Sequence, residues 1–325
     1  MYFYIKKMTI IHIMKIIQNF VKYIKKLNSW SKSVLFLSLI LLFIILTNKY
    51  SEPVGVEAFT QMKKYVQKTG TDVYDKFYCG IYDSLVLDDV KNNYEVDEII
   101  RNTITNKNQT RLLDLGSGTG RHAEIFSNLG IDVYGIDISP HMNVLAKKNC
   151  PKGKFKTGDF LVSHMFRNNT FTHITCLYFT MYYIKNKLQL IRNCYNWLQP
   201  GGYFVLHLVN KEMFDPIINS ADPLTMVSAQ KYAKKRITSS KVKFKGFTYK
   251  ANFNYKKGDK MAYFEENMKD DKSGNIRANK HTLYMETQKH ILSLVKSVGF
   301  IMKGKIDLVQ CMHEYQYLYV LYKPS

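Results

Sequence analysis

The chain contains the stretch Arg111-Leu-Leu-Asp-Leu-Gly-Ser-Gly-Thr-Gly-Arg121, in which an apolar run is followed by three glycines at alternate positions. The leucines predict a buried strand, and the glycines permit backbone angles and a close approach that a Cβ would prevent. We therefore predict a strand, a glycine loop and a helix whose first N–H groups face a ligand.

A second apolar strand, 131–138, follows the glycine loop and carries Asp137 near its end. A carboxylate at this place can accept hydrogen bonds from both hydroxyls of a ribose. The glycine spacing argues against a dinucleotide, because Arg121 stands where the G-x-G-x-x-G pattern, counted from Gly116, requires its third glycine.

The pattern D-x-G-x-G-x-G, from Asp114 to Gly120, resembles the first motif of the class I S-adenosylmethionine-dependent methyltransferases. The stretch 158–160 and the L-x-P-G-G turn at 198–202 fit the same family in the same order. The resemblance is to the small-molecule-like branch, with domains of types 11 and 25. It implies an α/β fold with a Rossmann-like, seven-stranded, mostly parallel sheet whose last strand is antiparallel, and S-adenosyl-L-methionine as cofactor.

The resemblance also implies roles for single residues. Asp137 would hold the ribose and Asp159 the adenine amino group, while Ile138 and the side chain after Asp159 would lie against the base. The cofactor contacts implied in this way are Asp114, Gly116, Ser117, Gly118, Thr119, Gly120, Asp137, Ile138, Asp159, Phe160, Leu177 and Tyr82.

Two residues are candidates for catalysis. His207 lies at the end of the predicted fifth strand, where open α/β sheets place their crevice, and Tyr182 follows the predicted fourth strand. A sulfonium methyl group is already electrophilic, so a base is needed only where the acceptor keeps its proton up to the transition state. No metal is required, and the five cysteines have no metal-ligand spacing.

The net charge of +21 lies mainly at the two ends of the chain, with +8 in residues 1–50 and +10 in residues 211–325. A basic surface is compatible with nucleic-acid binding. However, lysine outnumbers arginine 40 to 7, so the guanidinium groups that bind phosphate or guanine in pairs are scarce. The composition therefore disfavours a nucleic-acid partner, which stays open as an alternative.

The N-terminal region predicts a membrane anchor. The run from Val34 to Leu46, apolar except for Ser38, is flanked by Trp30 and Tyr50, which could mark two interfaces. We predict a single-pass transmembrane helix over residues 33–50, preceded by a basic amphipathic segment, 1–32; a buried helix and a signal-peptide core are the alternatives. The lysine distribution would place the catalytic domain across the membrane, whereas cofactor supply favours the cytosolic side, and the side stays open.

The remaining chain is divided by its patterns into a helical cap at 51–106, a cofactor-binding core at 107–210, a β-rich antiparallel lid insertion at 211–287, and a helix with the last two core strands at 288–325. In the cap, Tyr78 and Tyr82 share a helical face. In the lid, Tyr263, Glu265 and Glu266 are candidates to meet the substrate.

These features together predict a membrane-anchored methyltransferase that transfers a methyl group from S-adenosylmethionine to an O, N or S acceptor by in-line displacement. The acceptor is predicted to be a small molecule, a lipid or another membrane-associated compound. The alternatives are an RNA or protein methyltransferase, and an inactive interaction module that binds S-adenosylmethionine.

Overall fold

The structure is a computed structural model that describes residues 28–50, 64–217, 230 and 233–325. The chain divides into two compact units, Met1–Glu52 and Pro53–Ser325. The described part of the first unit is helix α1, Ser29–Tyr50. Most of the predicted amphipathic segment, the first part of the predicted cap and part of the predicted lid lie outside the described residues.

The prediction of a single-pass membrane anchor over residues 33–50 is wrong, and with it the predicted location in a membrane. Among the residues that the structure describes, no helix is both long enough and apolar enough to cross a membrane. The run from Val34 to Leu46, apolar except for Ser38, would extend ~20 Å at ~1.5 Å per residue, whereas the hydrocarbon layer of a bilayer is ~30 Å thick.

The second unit alternates strands and helices. Its described strands are β1 (Tyr65–Thr69), β2 (Arg111–Leu115), β3 (Asp132–Asp137), β4 (Lys154–Thr157), β5 (Phe171–Cys176), β6 (Leu198–Val209), β7 (Ser239–Phe244), β8 (Phe247–Tyr255), β9 (Met261–Asp270), β10 (Ile276–Tyr284), β11 (Ile301–Asp307) and β12 (Gln316–Tyr322). Its described α-helices are α2 (Lys76–Val86), α3 (Asp89–Thr103), α4 (Arg121–Asn128), α5 (Pro140–Asn149), α6 (Thr180–Tyr183), α7 (Lys187–Trp197) and α8 (Gln288–Val298).

Seven strands form the main sheet, in the order β11-β12-β6-β5-β2-β3-β4. Strands β2 to β6 run parallel to one another, whereas β12 is antiparallel to both β6 and β11. The predicted α/β, Rossmann-like fold is therefore confirmed. Parallel strands carry helices on both faces, which explains why β2 is buried at four of its five positions.

The other five strands form a second sheet, in the order β1-β10-β9-β8-β7. Its strands alternate in direction except that β1 runs parallel to β10. Four of them lie in the segment predicted as a lid, and we call this sheet the lid. Strand β1 comes from the segment predicted as a helical cap, so that segment contributes a strand as well as helices α2 and α3.

The inner face of the lid packs against helix α2. The hydrophobic cluster between them includes Phe77 and Tyr78 from the helix, and Tyr249 and Met268 from the sheet. Alternation along each lid strand turns every second side chain to this buried face. The lid and α2 therefore form one cover, which lies at the edge of the main sheet where the site residues gather.

Candidate active site

The glycine loop lies between β2 and α4, at the carboxyl edge of the main sheet. Gly116, Gly118 and Gly120 have φ angles of +64°, +53° and +78°, in the left-handed region that glycine adopts readily. The backbone N–H of Gly116 donates to the carbonyl of Ile136 at 2.8 Å, which ties the loop to β3. A Cβ at Gly118 would meet only the carbonyl oxygen of Gly116 within 4 Å, so the space over the loop is open.

Asp137 ends strand β3 beside this loop. One of its carboxylate oxygens accepts the N–H of Gly118 at 3.0 Å, and the other accepts the N–H of Ser139 at 2.8 Å. Burial raises the pKa of Asp137, and the two N–H groups counteract part of this rise. Each carboxylate oxygen can still accept a further hydrogen bond, so the group is fixed in place and free to bind hydroxyls.

Asp114 lies below the loop, in β2. Its carboxylate is buried and accepts the hydroxyl of Thr175 at 2.8 Å. Burial raises the pKa of Asp114 to about 6, although the nearby His122 lowers it in part. A carboxyl group of this kind becomes easier to ionise when a cation binds near it.

The remaining predicted cofactor contacts differ in how accessible they are to a ligand. The N–H of Gly158 donates to the carbonyl of Asp137 at 3.0 Å, which brings Asp159 beside Asp137. Ile138 is 45 % exposed and therefore accessible. Phe160 and Leu177 are buried in the hydrophobic core, so a ligand could reach no more than their edges.

Ser117 and Thr119 point away from the open space over the loop. The hydroxyl of Ser117 is buried against Gly135 and has no hydrogen-bond partner. The hydroxyl of Thr119 donates to Asp83 of helix α2 at 2.6 Å, and Arg121 donates to the same carboxylate at 2.8 Å. Asp83 thus fastens the covering helix to the glycine loop.

Aromatic side chains gather beside Asp137, and we call Tyr74, Tyr78, Tyr82, Tyr183 and His281 the tyrosine cluster. The ring of Tyr74 lies at its centre, with centroids 5.8 Å from Tyr78, 6.4 Å from Tyr82, 6.3 Å from Tyr183 and 5.9 Å from His281. Burial, and to a lesser extent the charge of Asp137, raises the pKa of Tyr74 and of Tyr82. The phenols are therefore neutral and close to the predicted ribose site.

A buried carboxylate, Glu266 of β9, lies behind the tyrosine cluster. It accepts four hydrogen bonds: from the hydroxyls of Tyr78 at 2.9 Å and Tyr249 at 2.7 Å, from Asn279 at 3.0 Å and from Nε2 of His281 at 2.8 Å. The bond from Tyr78 connects helix α2 to the lid. Burial by itself would raise the pKa of Glu266, but His281 and the other donors outweigh it and lower the pKa.

Comparison with known protein families identifies the core. Residues 113–206, from the apolar strand through the glycine loop to β6, match the family described as a methyltransferase domain. The core is a class I S-adenosylmethionine-dependent methyltransferase domain. Its cofactor is S-adenosyl-L-methionine, as the resemblance implied. The open backbone cradle over Gly118 and the fixed carboxylate of Asp137 fit the methionine tail and the ribose of this cofactor.

Two relatives illustrate the range of such enzymes. A dTDP-4-amino-2,3,4,6-tetradeoxy-D-glucose N,N-dimethyltransferase of Saccharopolyspora spinosa is 27 % identical over 153 residues, which are 46 % of this chain and 58 % of that protein. A ubiquinone biosynthesis O-methyltransferase of Xanthomonas campestris pv. campestris is 27 % identical over 106 residues, 31 % of this chain and 44 % of that protein. The chain thus spans about half the length of these relatives.

Solved structures resemble the fold over a larger part of the chain. An amino pentose methyltransferase from Micromonospora echinaspora, solved with S-adenosylmethionine bound, has a TM-score of 0.51 at 20 % identity and covers 72 % of this chain and 90 % of that one. The CcbJ methyltransferase from Streptomyces caelestis has a TM-score of 0.58 at 14 % identity and covers 78 % and 98 %. At these identities the likeness shows the fold of the methyltransferase domain.

The structure does not support the two predicted catalytic residues. His207 is fully buried, with Nδ1 in contact with the carbonyl of Tyr178 and Nε2 with Gln316, and burial lowers its pKa to about 4. Tyr182 is also fully buried, and its hydroxyl accepts the N–H of Val209 at 2.9 Å. Because their polar atoms are engaged inside the methyltransferase core, both residues have structural roles.

The lid candidates separate in the same way. Glu265 and Tyr263 face outward, where Glu265 accepts Asn254 at 2.8 Å and Tyr263 lies under the ammonium group of Lys280. Glu266, one position along the strand, faces inward to the tyrosine cluster. Sequence reasoning missed His281, although β10 places Arg277, Asn279 and His281 on the buried face, and such a polar run is a detectable signal.

We expect Asp83→Ala to weaken S-adenosylmethionine binding about tenfold. The change removes two charge-assisted hydrogen bonds that hold the glycine loop against α2, each worth roughly 1.5–3 kcal/mol, and water replaces part of this loss. Isothermal titration of the full chain measures the effect. Asp89→Ala, an exposed carboxylate on the next helix, is the control; equal affinities in the two variants would contradict the fastening role.

We also expect S-adenosylmethionine to bind more tightly as the pH rises from 5 to 7, by about tenfold. The raised pKa of Asp114, about 6, means that its carboxylate ionises in this range, and the cofactor carries sulfonium and ammonium cations. The folding stability of the ligand-free protein changes in the opposite direction. The stabilisation that protonated Asp114 contributes is lost as the pH rises through about 6. Titration of the cofactor at several pH values should show a flatter profile for Asp114→Asn.

Proposed function

We propose that this chain transfers the methyl group of S-adenosylmethionine to the amino group of a small molecule held under the lid. The observation that carries the proposal is the tyrosine cluster with the buried carboxylate of Glu266 behind it, next to Asp137, the residue predicted to bind the ribose. Aromatic faces and a carboxylate together attract a cationic or partly cationic nitrogen. Amines that are protonated in water fit this description.

The closed cover favours a small acceptor. The hydroxyl of Tyr78, on α2, donates to Glu266 of the lid at 2.9 Å, so the two parts of the cover are joined directly over the crevice. Tyr78 and His281 are each 2 % exposed, whereas Tyr183 is 36 % exposed. A polypeptide or a nucleic-acid strand would have to separate this cover before it could reach the cofactor.

The relatives support an amine acceptor. Two of them are N,N-dimethyltransferases that act on aminodeoxy sugars linked to dTDP, one from Saccharopolyspora spinosa and one from Streptomyces venezuelae. The ubiquinone biosynthesis O-methyltransferase keeps an oxygen acceptor as the second candidate. In either case the acceptor would be a small molecule.

The residues of this chain have three tasks in such a transfer. When bound, S-adenosylmethionine supplies an electrophilic methyl group on a sulfonium. The glycine loop and Asp137 hold the donor in one orientation, and the phenol rings position the acceptor nitrogen in line with the methyl carbon. The lid and α2 exclude water, which would otherwise solvate the nucleophile.

Transfer of a tritiated methyl group tests the proposal. The full chain is incubated with labelled S-adenosylmethionine and, separately, with dTDP-3-amino-3,4,6-trideoxy-α-D-glucopyranose, its 3-hydroxy counterpart, and the metabolite, protein and RNA fractions of a cell extract. We expect label on the amino sugar nucleotide or on amines of the metabolite fraction. Label on the hydroxy compound alone would show that the acceptor atom is oxygen and not nitrogen. Label only in protein or RNA would contradict a small-molecule acceptor.

A chain that binds the cofactor but labels no fraction would be an inactive binding module. Asp137→Asn provides the control for non-enzymatic transfer, because it removes the carboxylate proposed to hold the donor. The radioactivity of purified products is counted in the same way for the unmodified chain and for Asp137→Asn. Weak activity can therefore be distinguished from none.

A further inference from the structure

We propose that Tyr183, His281 and Glu266 form a proton relay that takes the proton from the acceptor nitrogen. The inference rests on the proposed function, because a protonated amine has no lone pair for the attack on the methyl carbon. It assigns proton transfer to two lid strands, β9 and β10, and to helix α6. The buried His207 does not take part.

Glu266 is the fixed negative end of this relay. Its four hydrogen-bond partners are all donors, which is the arrangement of an ionised carboxylate. The side chain is 1 % exposed, and no water is needed to satisfy it. A buried carboxylate held in this way stabilises a positive charge on the basic group that it contacts, the imidazole of His281.

The contacts of His281 determine which of its nitrogens is basic. Nε2 lies 2.8 Å from the Glu266 carboxylate and therefore carries the hydrogen. Nδ1 lies 3.1 Å from the hydroxyl of Tyr183 and is left with a lone pair that accepts the phenolic hydrogen. The imidazole is thus oriented with its basic nitrogen toward Tyr183.

Tyr183 connects the imidazole to the crevice. Its ring packs edge-on against that of Tyr74, with centroids 6.3 Å apart, and it is the most exposed phenol of the tyrosine cluster. A phenol ionises only near pH ~10, so Tyr183 stays neutral at pH 7 and passes a proton on without holding a charge. An acceptor bound beside Tyr74 and Asp137 would contact this hydroxyl.

The proton balance is complete within these groups. The ammonium form of the acceptor gives its proton to the oxygen of Tyr183, while the phenolic proton of Tyr183 moves to Nδ1 of His281. The nitrogen lone pair then forms the new C–N bond as the C–S bond of the donor breaks and its electron pair stays on sulfur. The imidazolium, paired with Glu266, later releases the proton to solvent.

Other titratable and charged groups face this region from every element packed against it. The phenols are neutral because burial raises their pKa, and the ions next to the site are already paired or lie at the cofactor. These groups are Tyr74, Tyr78, Tyr82, Tyr249, the Arg277–Asp75 pair and Asp137. In the described part of the chain, Glu266 is therefore the charged group in hydrogen-bond contact with His281.

The tautomer of His281 gives a test that does not depend on activity. Nitrogen-15 NMR of the histidine-labelled full chain distinguishes an imidazole with hydrogen on Nε2 from one with hydrogen on Nδ1. We expect the Nε2–H form in the unmodified protein at neutral pH and above. An Nδ1–H form would overturn the relay, because Nδ1 would then have no lone pair to accept the phenolic proton.

Kinetics of two variants provide the second test, with dTDP-3-amino-3,4,6-trideoxy-α-D-glucopyranose as the acceptor. Glu266→Gln can keep all four hydrogen bonds, because the hydroxyls of Tyr78 and Tyr249 can turn to accept from the amide, and it removes only the charge. Tyr183→Phe removes only the hydroxyl. We expect each to lower kcat about 100-fold at pH 7, the size typical of general-base catalysis.

The pH dependence separates a relay from a structural role. At pH 9.5 the acceptor loses its proton to water, so we expect the deficit of both variants to shrink to tenfold or less, with cofactor affinity unchanged within threefold. Glu265→Gln, one residue away on the outer face, is the matched control and should behave as the unmodified chain. A deficit of equal size at both pH values would overturn the relay, whereas an unmodified chain that methylates no small amine would overturn the proposed function.

Discussion

Substituting Asp137 by asparagine is expected to weaken S-adenosylmethionine binding by about 100-fold. The carboxylate is held by the N–H groups of Gly118 and Ser139 and has acceptor positions left for two ribose hydroxyls. An amide can offer only one oxygen, and its NH2 group would face a backbone N–H. Loss of one charge-assisted hydrogen bond and distortion of another account for about 2.7 kcal/mol, which is 100-fold in Kd.

Isothermal titration with the full chain measures this effect, and the matched control lies in the same strand. Asp132, at the start of β3, pairs with Arg111 at 3.3 Å and Lys154 at 2.7 Å on the surface. Asp132→Asn should therefore bind the cofactor as the unmodified chain does. Affinity of Asp137→Asn within threefold of the unmodified chain would show that the ribose is held elsewhere.

Alanine at the last two glycines of the same loop should have different effects. We expect Gly120→Ala to destabilise the fold by about 3 kcal/mol, because alanine is strained at φ +78° and its Cβ would lie 2.9 Å from the Cα of Ala146. That corresponds to a fall in Tm of roughly 6–12 °C for a domain of this size. Thermal unfolding followed by circular dichroism measures it.

Gly118→Ala is the matched comparison. Its Cβ would enter open space, so we expect a loss of stability of only about 1 kcal/mol from the left-handed backbone. The same Cβ would occupy the volume proposed for the cofactor, and we expect S-adenosylmethionine binding to fall at least tenfold. Unchanged binding in Gly118→Ala together with a normal Tm would place the cofactor away from the loop.

The cofactor side of the site was predictable because its signals are local in sequence. The glycine loop, Asp137 and the two strands that carry them follow from patterns within about thirty residues, which is the length of one βαβ unit. The structure then adds what the pattern could not contain, such as the bond between Asp83 and Thr119, whose partners lie 36 residues apart.

The acceptor side was not predictable, because its contacts join distant segments. His281 meets Tyr183 across 98 positions, and Glu266 meets Tyr78 across 188. His207 looked suitable for catalysis from its place at a strand end, but its partner Gln316 is 109 positions away and fixes it in the interior. The membrane prediction was wrong for a different reason, since the run from Val34 to Leu46, apolar except for Ser38, is too short to span a bilayer.

A crystal structure of the full chain with S-adenosylhomocysteine tests the arrangement of the site most directly. We expect both ribose hydroxyls on the carboxylate of Asp137, the amino-acid tail over Gly116 to Gly120, and the sulfur facing the hydroxyls of Tyr74 and Tyr183. A nucleoside bound without contact to Asp137, or with its sulfur turned away from the tyrosine cluster, would contradict the proposed path of the methyl group.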